Sequence, residues 1–282
     1  MPRYGVTATG IPQIFDRVLA RRRRARAAPR QVEFDFLTAR AAGELVERVD
    51  AVLAGVATAV RCGTGPGGGV FPPHWISFDT IEEMLAPGLA VVGDEERLPF
   101  APGSLDIYLS ILTLHALNDL PGALAQMRRA LKQNGVFMAA MFGGETLKEL
   151  REAFAAAEIE CDGGLSPRVF PFADVRDAGA LLQRAGFAEP IADSDTVTVH
   201  YDHPLKLLRD LRGMGETNVL VERRRAPLKR RTLERMCEIY IEQFAGADGR
   251  VRATFQILYL TGRARFEAQQ QPLESATRLR LA

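Results

Sequence analysis

Residues 59–65 read Ala59-Val60-Arg61-Cys62-Gly63-Thr64-Gly65, and two related segments follow, Trp75-Ile76-Ser77-Phe78-Asp79 and Gly93-Asp94-Glu95-Glu96-Arg97-Leu98-Pro99-Phe100. Each stands at the end of a short apolar run. Glycines or carboxylates thus fall at the carboxyl ends of predicted strands, where a doubly wound sheet has its ligand crevice. Gly63 and Gly65 let a backbone turn sharply and approach a ligand with no Cβ between them. Asp79 can accept both hydrogen bonds of a ribose diol, and Asp94 or Glu95 can accept from an adenine amino group. A bare Gly-Thr-Gly is an ordinary turn; the acids at matching positions make it a candidate nucleotide site.

Outward from these segments, apolar runs at 56–60, 75–78, 90–92, 105–109 and 136–140 are separated by crossovers. That alternation predicts an α/β fold, a mostly parallel sheet with helices on both faces. A helix over 120–132 opens at Asp119 as N-cap and ends at Asn134-Gly135. Two helices, 12–28 and 34–52, precede the first strand. The second half predicts helices over 145–159, 174–185, 204–211 and 226–244, with strands at 196–201 and 253–261. We read one domain over 11–266, made of N-terminal helices (11–53), a cofactor half (54–143) and a substrate or cap half (144–266). Residues 1–10 read as a flexible start and 267–282 as a disordered, Gln-rich tail.

Composition excludes more than it names. The charge is balanced, 36 basic against 35 acidic residues, so no global field recruits nucleic acid or an anionic membrane. Three scattered cysteines, Cys62, Cys161 and Cys237, fit neither a disulfide framework nor a zinc site and favour a reducing compartment. No run of about eighteen apolar residues predicts a membrane span. A cytoplasmic location is expected; the Arg-rich stretch Arg21 to Arg26 has the look of a transit peptide, which would instead imply the mitochondrial matrix.

The series GTG, FDxxxxML, GDEERLPF, SLDIYLSILTLH and ALKQNGVF resembles the motif order of class I, type-11 S-adenosylmethionine-dependent methyltransferases. IFDRVLARRRRARAA, SPRVFPFADVRDAGALLQRAGF, PLKLLRDLRGMGETN and ATFQILYLTG resemble a narrower family. It holds the mitochondrial arginine-hydroxylase assembly factors of respiratory complex I and their alphaproteobacterial relatives, with the malonyl-carrier-protein methyltransferases of biotin synthesis as distant cousins. The resemblance runs from about residue 11 to 263. It implies a Rossmann-like fold with a seven-stranded-type sheet and a helical insertion in the C-terminal half, S-adenosyl-L-methionine as cofactor, and Gly63, Gly65, Asp79, Asp94 and Glu95 as its binding residues.

Two departures bear on cofactor binding. The superfamily reads acid-apolar-Gly-x-Gly-x-Gly at the end of the first strand; here the acid is Ala59 and the first glycine is Arg61. Arg61 would send a charged stem toward the methionine part of the cofactor, either pairing with its carboxylate or blocking it. The connection from Pro66 to His74 has only nine residues, with three glycines and three prolines, and cannot form the usual crossover helix. Weak or absent cofactor binding is the expectation.

Among other candidates, His115 follows the fourth strand at the crevice and is the candidate catalytic residue. Arg212-Gly213-Met214-Gly215-Glu216-Thr217-Asn218 predicts a tight loop at the ligand mouth, where Glu216 or Asn218 could hold a substrate guanidinium or amide. His200-Tyr201-Asp202-His203 reads as a surface turn rather than a metal site, and no His-Glu-x-x-His or Cys pair supports a metal. Cys62 reads as a structural thiol and the clusters 223–225 and 229–231 as solvated faces. Three functions stay open: methyl transfer to a small or carrier-bound substrate, arginine hydroxylation of a complex I subunit, or binding without catalysis.

Overall fold

The computed structural model describes residues 5–6, 10–50, 55–67, 71–72 and 74–265. The expected flexible start, apart from Gly5, Val6 and Gly10, and the expected tail lie outside these residues. The elements are α1 (Arg17–Ala27), α2 (Phe36–Asp50), β1 (Ala59–Cys62), β2 (Ile76–Asp79), β3 (Ala90–Val92), β4 (Leu105–Ile111), α3 (Leu120–Ala130), β5 (Leu131–Phe142), α4 (Lys148–Asp162), α5 (Val175–Arg184), β6 (Ala188–Tyr201), α6 (Pro204–Met214), α7 (Arg230–Phe244) and β7 (Val251–Arg263).

Together the strands make a seven-stranded sheet in the order β3-β2-β1-β4-β5-β7-β6. The first five run parallel, and β7 runs antiparallel between β5 and β6. All four residues of β1 and all but Asp106 of β4 are buried, because helices cover both faces of a parallel sheet. One core layer joins Leu45 of α2, Phe154 of α4, Leu211 of α6 and Tyr240 of α7 to Leu109, Met138 and Phe255 of the sheet. The opposite layer joins Leu124 of α3 and Leu182 of α5 to Tyr108 and Phe137. β6, at the sheet edge, alternates half-buried and exposed residues, as one covered face requires.

Several boundaries differ from the sequence reading for identifiable reasons. The first strand begins at Ala59 because the N–H groups of Ala57 and Thr58 are taken by the Asp106 carboxylate. The helix expected over 120–132 stops at Ala130, where Leu131 turns extended and pairs with Leu105. The edge strand expected over 196–201 starts already at Ala188, its polar stretch held by full pairing with β7. The helix expected from residue 12 starts at Arg17, since Phe15 bridges Leu220 and the Asn118 side chain accepts from the N–H groups of Ile14 and Phe15.

The β1–β2 connection bears out its composition. Among its described residues none is helical, and the core on that side is closed by Phe71 stacked on Trp75, ring centroids 5.6 Å apart. From β2 to β3 the chain makes only a short 3-10 turn, Glu82–Met84.

Candidate functional site

The crevice lies at the carboxyl ends of β1, β2 and β4, and helix α1 lies across it. Asp79 ends β2 with its side chain only 1% exposed. Arg24 of α1 meets it with both guanidinium nitrogens, Nη1 to Oδ1 at 2.9 Å and Nη2 to Oδ2 at 2.8 Å. Burial works against the charge on Arg24, but the pairing with Asp79 outweighs it and holds the guanidinium charged. Asp94, just past β3, accepts from Arg17 Nη2 at 2.5 Å and from Arg21 Nη2. Arg17, Arg21 and Arg24 stand at helical spacing on one face of α1.

Gly63 and Gly65 adopt left-handed backbone, φ +78° and +70°. A Cβ on Gly63 would lie 2.1 Å from the Ile111 carbonyl oxygen, and one on Gly65 would lie 2.5 Å from Gln31 Oε1. The backbone approach at Ile111 demands Gly63, whereas Gly65 is favoured by its left-handed backbone, since Gln31 Oε1 ends a flexible side chain. Glu95 is buried and accepts from Thr113 Oγ1 at 2.5 Å. Burial pushes its carboxyl above the usual range. Burial likewise drives the Cys62 thiol well up, helped by Glu95 and Asp79; such a thiol is not an activated nucleophile. Arg61 is buried within β1 and lines neither space left in the crevice. The strand runs on through Cys62, which keeps Arg61 in the sheet rather than in the turn. Of the two outcomes open to Arg61, blocking of the crevice falls to α1 instead.

His115 and Glu216 meet. Gly215 ends α6 in left-handed backbone, φ +82°, with its own N–H bonded to the Arg212 carbonyl and that of Glu216 to the Leu211 carbonyl. This glycine-dependent helix stop aims Glu216 back at the 3-10 turn Leu114–Ala116. Glu216 Oε2 lies 3.2 Å from His115 Nε2. The imidazole is set among Phe142, Phe170 and Phe172, with Nδ1 buried and unbonded.

Beyond Glu216 opens a cavity of about 360 Å³, walled by aromatic residues that include Phe142, Phe170 and Phe255, with Arg23 and Arg212 also on its lining. On the crevice side lie two small spaces, about 30 and about 40 Å³, and Glu216 borders both. Asn218 also borders the large cavity, but its amide donates to the Pro167 carbonyl and accepts from Leu220 N–H, which fixes the loop.

His203 caps α6 by accepting from Leu205 N–H, and Asp119 caps α3 by accepting from Gly122 N–H. Arg224 and Lys229 both pair with Asp162. Among the described residues no group of His, Cys, Asp and Glu could hold a metal, and no helix is long and apolar enough to cross a membrane. Missed in the sequence were Arg17, Arg21, Arg24 and Gln31; the 17-21-24 spacing was the available signal.

Residues 62–139 match the family model described as a methyltransferase domain. Over 288 residues, 96% of this chain and 82% of the other, the chain is 38% identical to the mitochondrial arginine-hydroxylase NDUFAF5 of Homo sapiens. The chain belongs to the class I methyltransferase family. This methyltransferase-family chain is also 39% identical over 174 residues to the malonyl-[acyl-carrier protein] O-methyltransferase of Laribacter hongkongensis, covering 62% of this chain and 56% of that one. In fold it matches the YcgJ protein of Bacillus subtilis with a TM-score of 0.54 at 15% identity, over 79% of this chain and 99% of that one. A methyltransferase of Bacillus halodurans matches with a TM-score of 0.52 at 17% identity, over 79% and 98%.

The fold is that of the S-adenosylmethionine-dependent methyltransferases. The residues around the crevice do not fit that cofactor while α1 is docked. A small-molecule site normally takes some 300 Å³ or more, several times either of these two spaces, and Asp79 and Asp94 are already occupied by arginines.

Proposed function

We propose that this methyltransferase-family protein acts on an arginine side chain of a protein, as a hydroxylase serving assembly of respiratory complex I. The observation that carries the reading is Glu216, a carboxylate at the inner end of an aromatic cavity and in contact with His115. A guanidinium suits that position. Its planar fork pairs with a carboxylate through two hydrogen bonds, and its stem and π-face lie well against aromatic rings. The name of the human relative, matched along nearly the whole chain, supports the same substrate class.

Methylation of a carrier-bound acid is the second reading, favoured by the Laribacter relative. Arg23, Arg168 and Arg212 on the cavity lining would favour such an acid, while Glu216 would oppose it at close range. We rank it second because the human arginine-hydroxylase is matched over far more of the chain. His115 is the candidate catalytic group and Glu216 the substrate-binding one. S-adenosylmethionine remains the ligand class of the crevice under α1, with Asp79, Asp94 and Glu95 as the groups that would face it. Three free thiols support a reducing, cytoplasmic site of action.

The test is a mass measurement on arginine peptides from complex I subunits incubated with the chain in a lysate that supplies oxidant and electrons. A gain of one oxygen on arginine supports hydroxylation. A gain of one methylene on a carrier-bound acid, with arginine unchanged, would replace this reading with the second.

A further inference from the structure

The contacts of α1 amount to more than a cover. Its three inward arginines hold both carboxylates that a nucleoside would need: Arg24 on Asp79, Arg17 and Arg21 on Asp94. Gln31, just after the helix, sits against Gly65, where a cofactor would meet the glycine turn. Yet α1 has only a thin apolar seam: Ala27 is buried, and Leu19, Ala20 and Ala25 are half-buried against two small apolar clusters. Much of what fixes it is polar. Arg23 donates to Thr217 Oγ1 and to the Asn218 carbonyl, and the Asp16 N–H donates to the Val219 carbonyl.

We infer that the arginine face of α1 is an internal stopper of the nucleoside crevice, so that docking of α1 and entry of a ribose-bearing ligand exclude each other. Ligand entry trades the Arg24–Asp79 and Arg17/Arg21–Asp94 pairs for hydrogen bonds to the ribose and base. Helix α1 is suited to release because charged pairs, reached by solvent at Arg21 and Asp94, hold it. Salt weakens the solvent-reached pairs on Asp94 and acts far less on the buried Arg24–Asp79 pair. The inference rests on the fold and the ion pairs. It does not depend on whether the substrate is an arginine, so either can fail alone.

Calorimetry with S-adenosylhomocysteine tests it, using the full chain and the variants Arg24→Gln and Arg17→Gln/Arg21→Gln. Removing a charged hydrogen-bonding partner from the docked state should tighten ligand binding roughly ten- to a hundredfold. With the unaltered chain, two readouts avoid any folding defect of the variants. Raising salt to about 0.5 M should strengthen ligand binding, and ligand should speed tryptic cleavage after residues 21–24, which α1 release exposes. Variants that bind no tighter, or ligand that protects residues 21–24 from trypsin, would overturn the inference; the arginines would then be part of the ligand site.

Discussion

Glu95 is a carboxylate placed where water does not reach, with the Thr113 hydroxyl as its hydrogen-bond donor. Burial raises its folded-state pKa above the unfolded value of about 4.3. Below the unfolded value the group is protonated in both states and costs nothing. As pH rises through the folded value, ionisation penalises only the folded chain, so stability falls. Glu95→Gln keeps an acceptor for Thr113 and removes the charge. Thermal denaturation should show it melting higher than the native chain near neutral pH, with the gap closing toward about pH 4; a lower melting point at neutral pH would assign Glu95 a stabilising charge. Glu216 offers a second residue-scale test. Glu216→Gln removes the charge that a guanidinium would meet, and affinity for arginine peptides in fluorescence titration should drop roughly tenfold or more. His115 keeps its aromatic surroundings in that variant, so the fold should be unaffected.

The elements around the crevice show how an unusual sequence is accommodated. Phe71 and Trp75 close the core where a crossover helix would otherwise lie. Trp75→Ala should therefore cost about 3–5 kcal/mol in denaturant unfolding, as for other buried aromatics. Gly63→Ala should cost upward of about 1 kcal/mol through its left-handed backbone alone, with the clash at the Ile111 carbonyl added. The mostly parallel sheet and the acids after β2 and β3 were legible because they follow from local pattern, apolar runs with a carboxylate close behind; the strand order was not. Also legible was the absence of a helix among the described residues after Gly65, since glycine and proline disfavour it locally. The role of α1 was not legible. Its arginines read as a targeting stretch or part of a structural helix, and only the folded chain brings Arg24 to Asp79, fifty-five positions away. Likewise 212–218 announced a tight loop, but the meeting of Glu216 with His115, 101 positions apart, depends on where α6 ends. The full length of β6 was hidden because its polar residues carry no strand signal without β7 beside them.

At the scale of the whole molecule, two spaces share one wall. The nucleoside crevice is closed by α1 while the aromatic cavity stands open, and Glu216 borders both. Such an arrangement suits a methyltransferase fold turned toward a protein side chain, with the substrate reaching inward to the carboxylate. The most direct test is the mass of complex I subunits from cells that lack this chain, complemented with either the native sequence or Glu216→Gln. The account predicts an arginine carrying one added oxygen with the native chain, lost in the deletion and strongly reduced with Glu216→Gln. An unchanged arginine mass in all three strains, with normal complex I activity in the deletion, would contradict it.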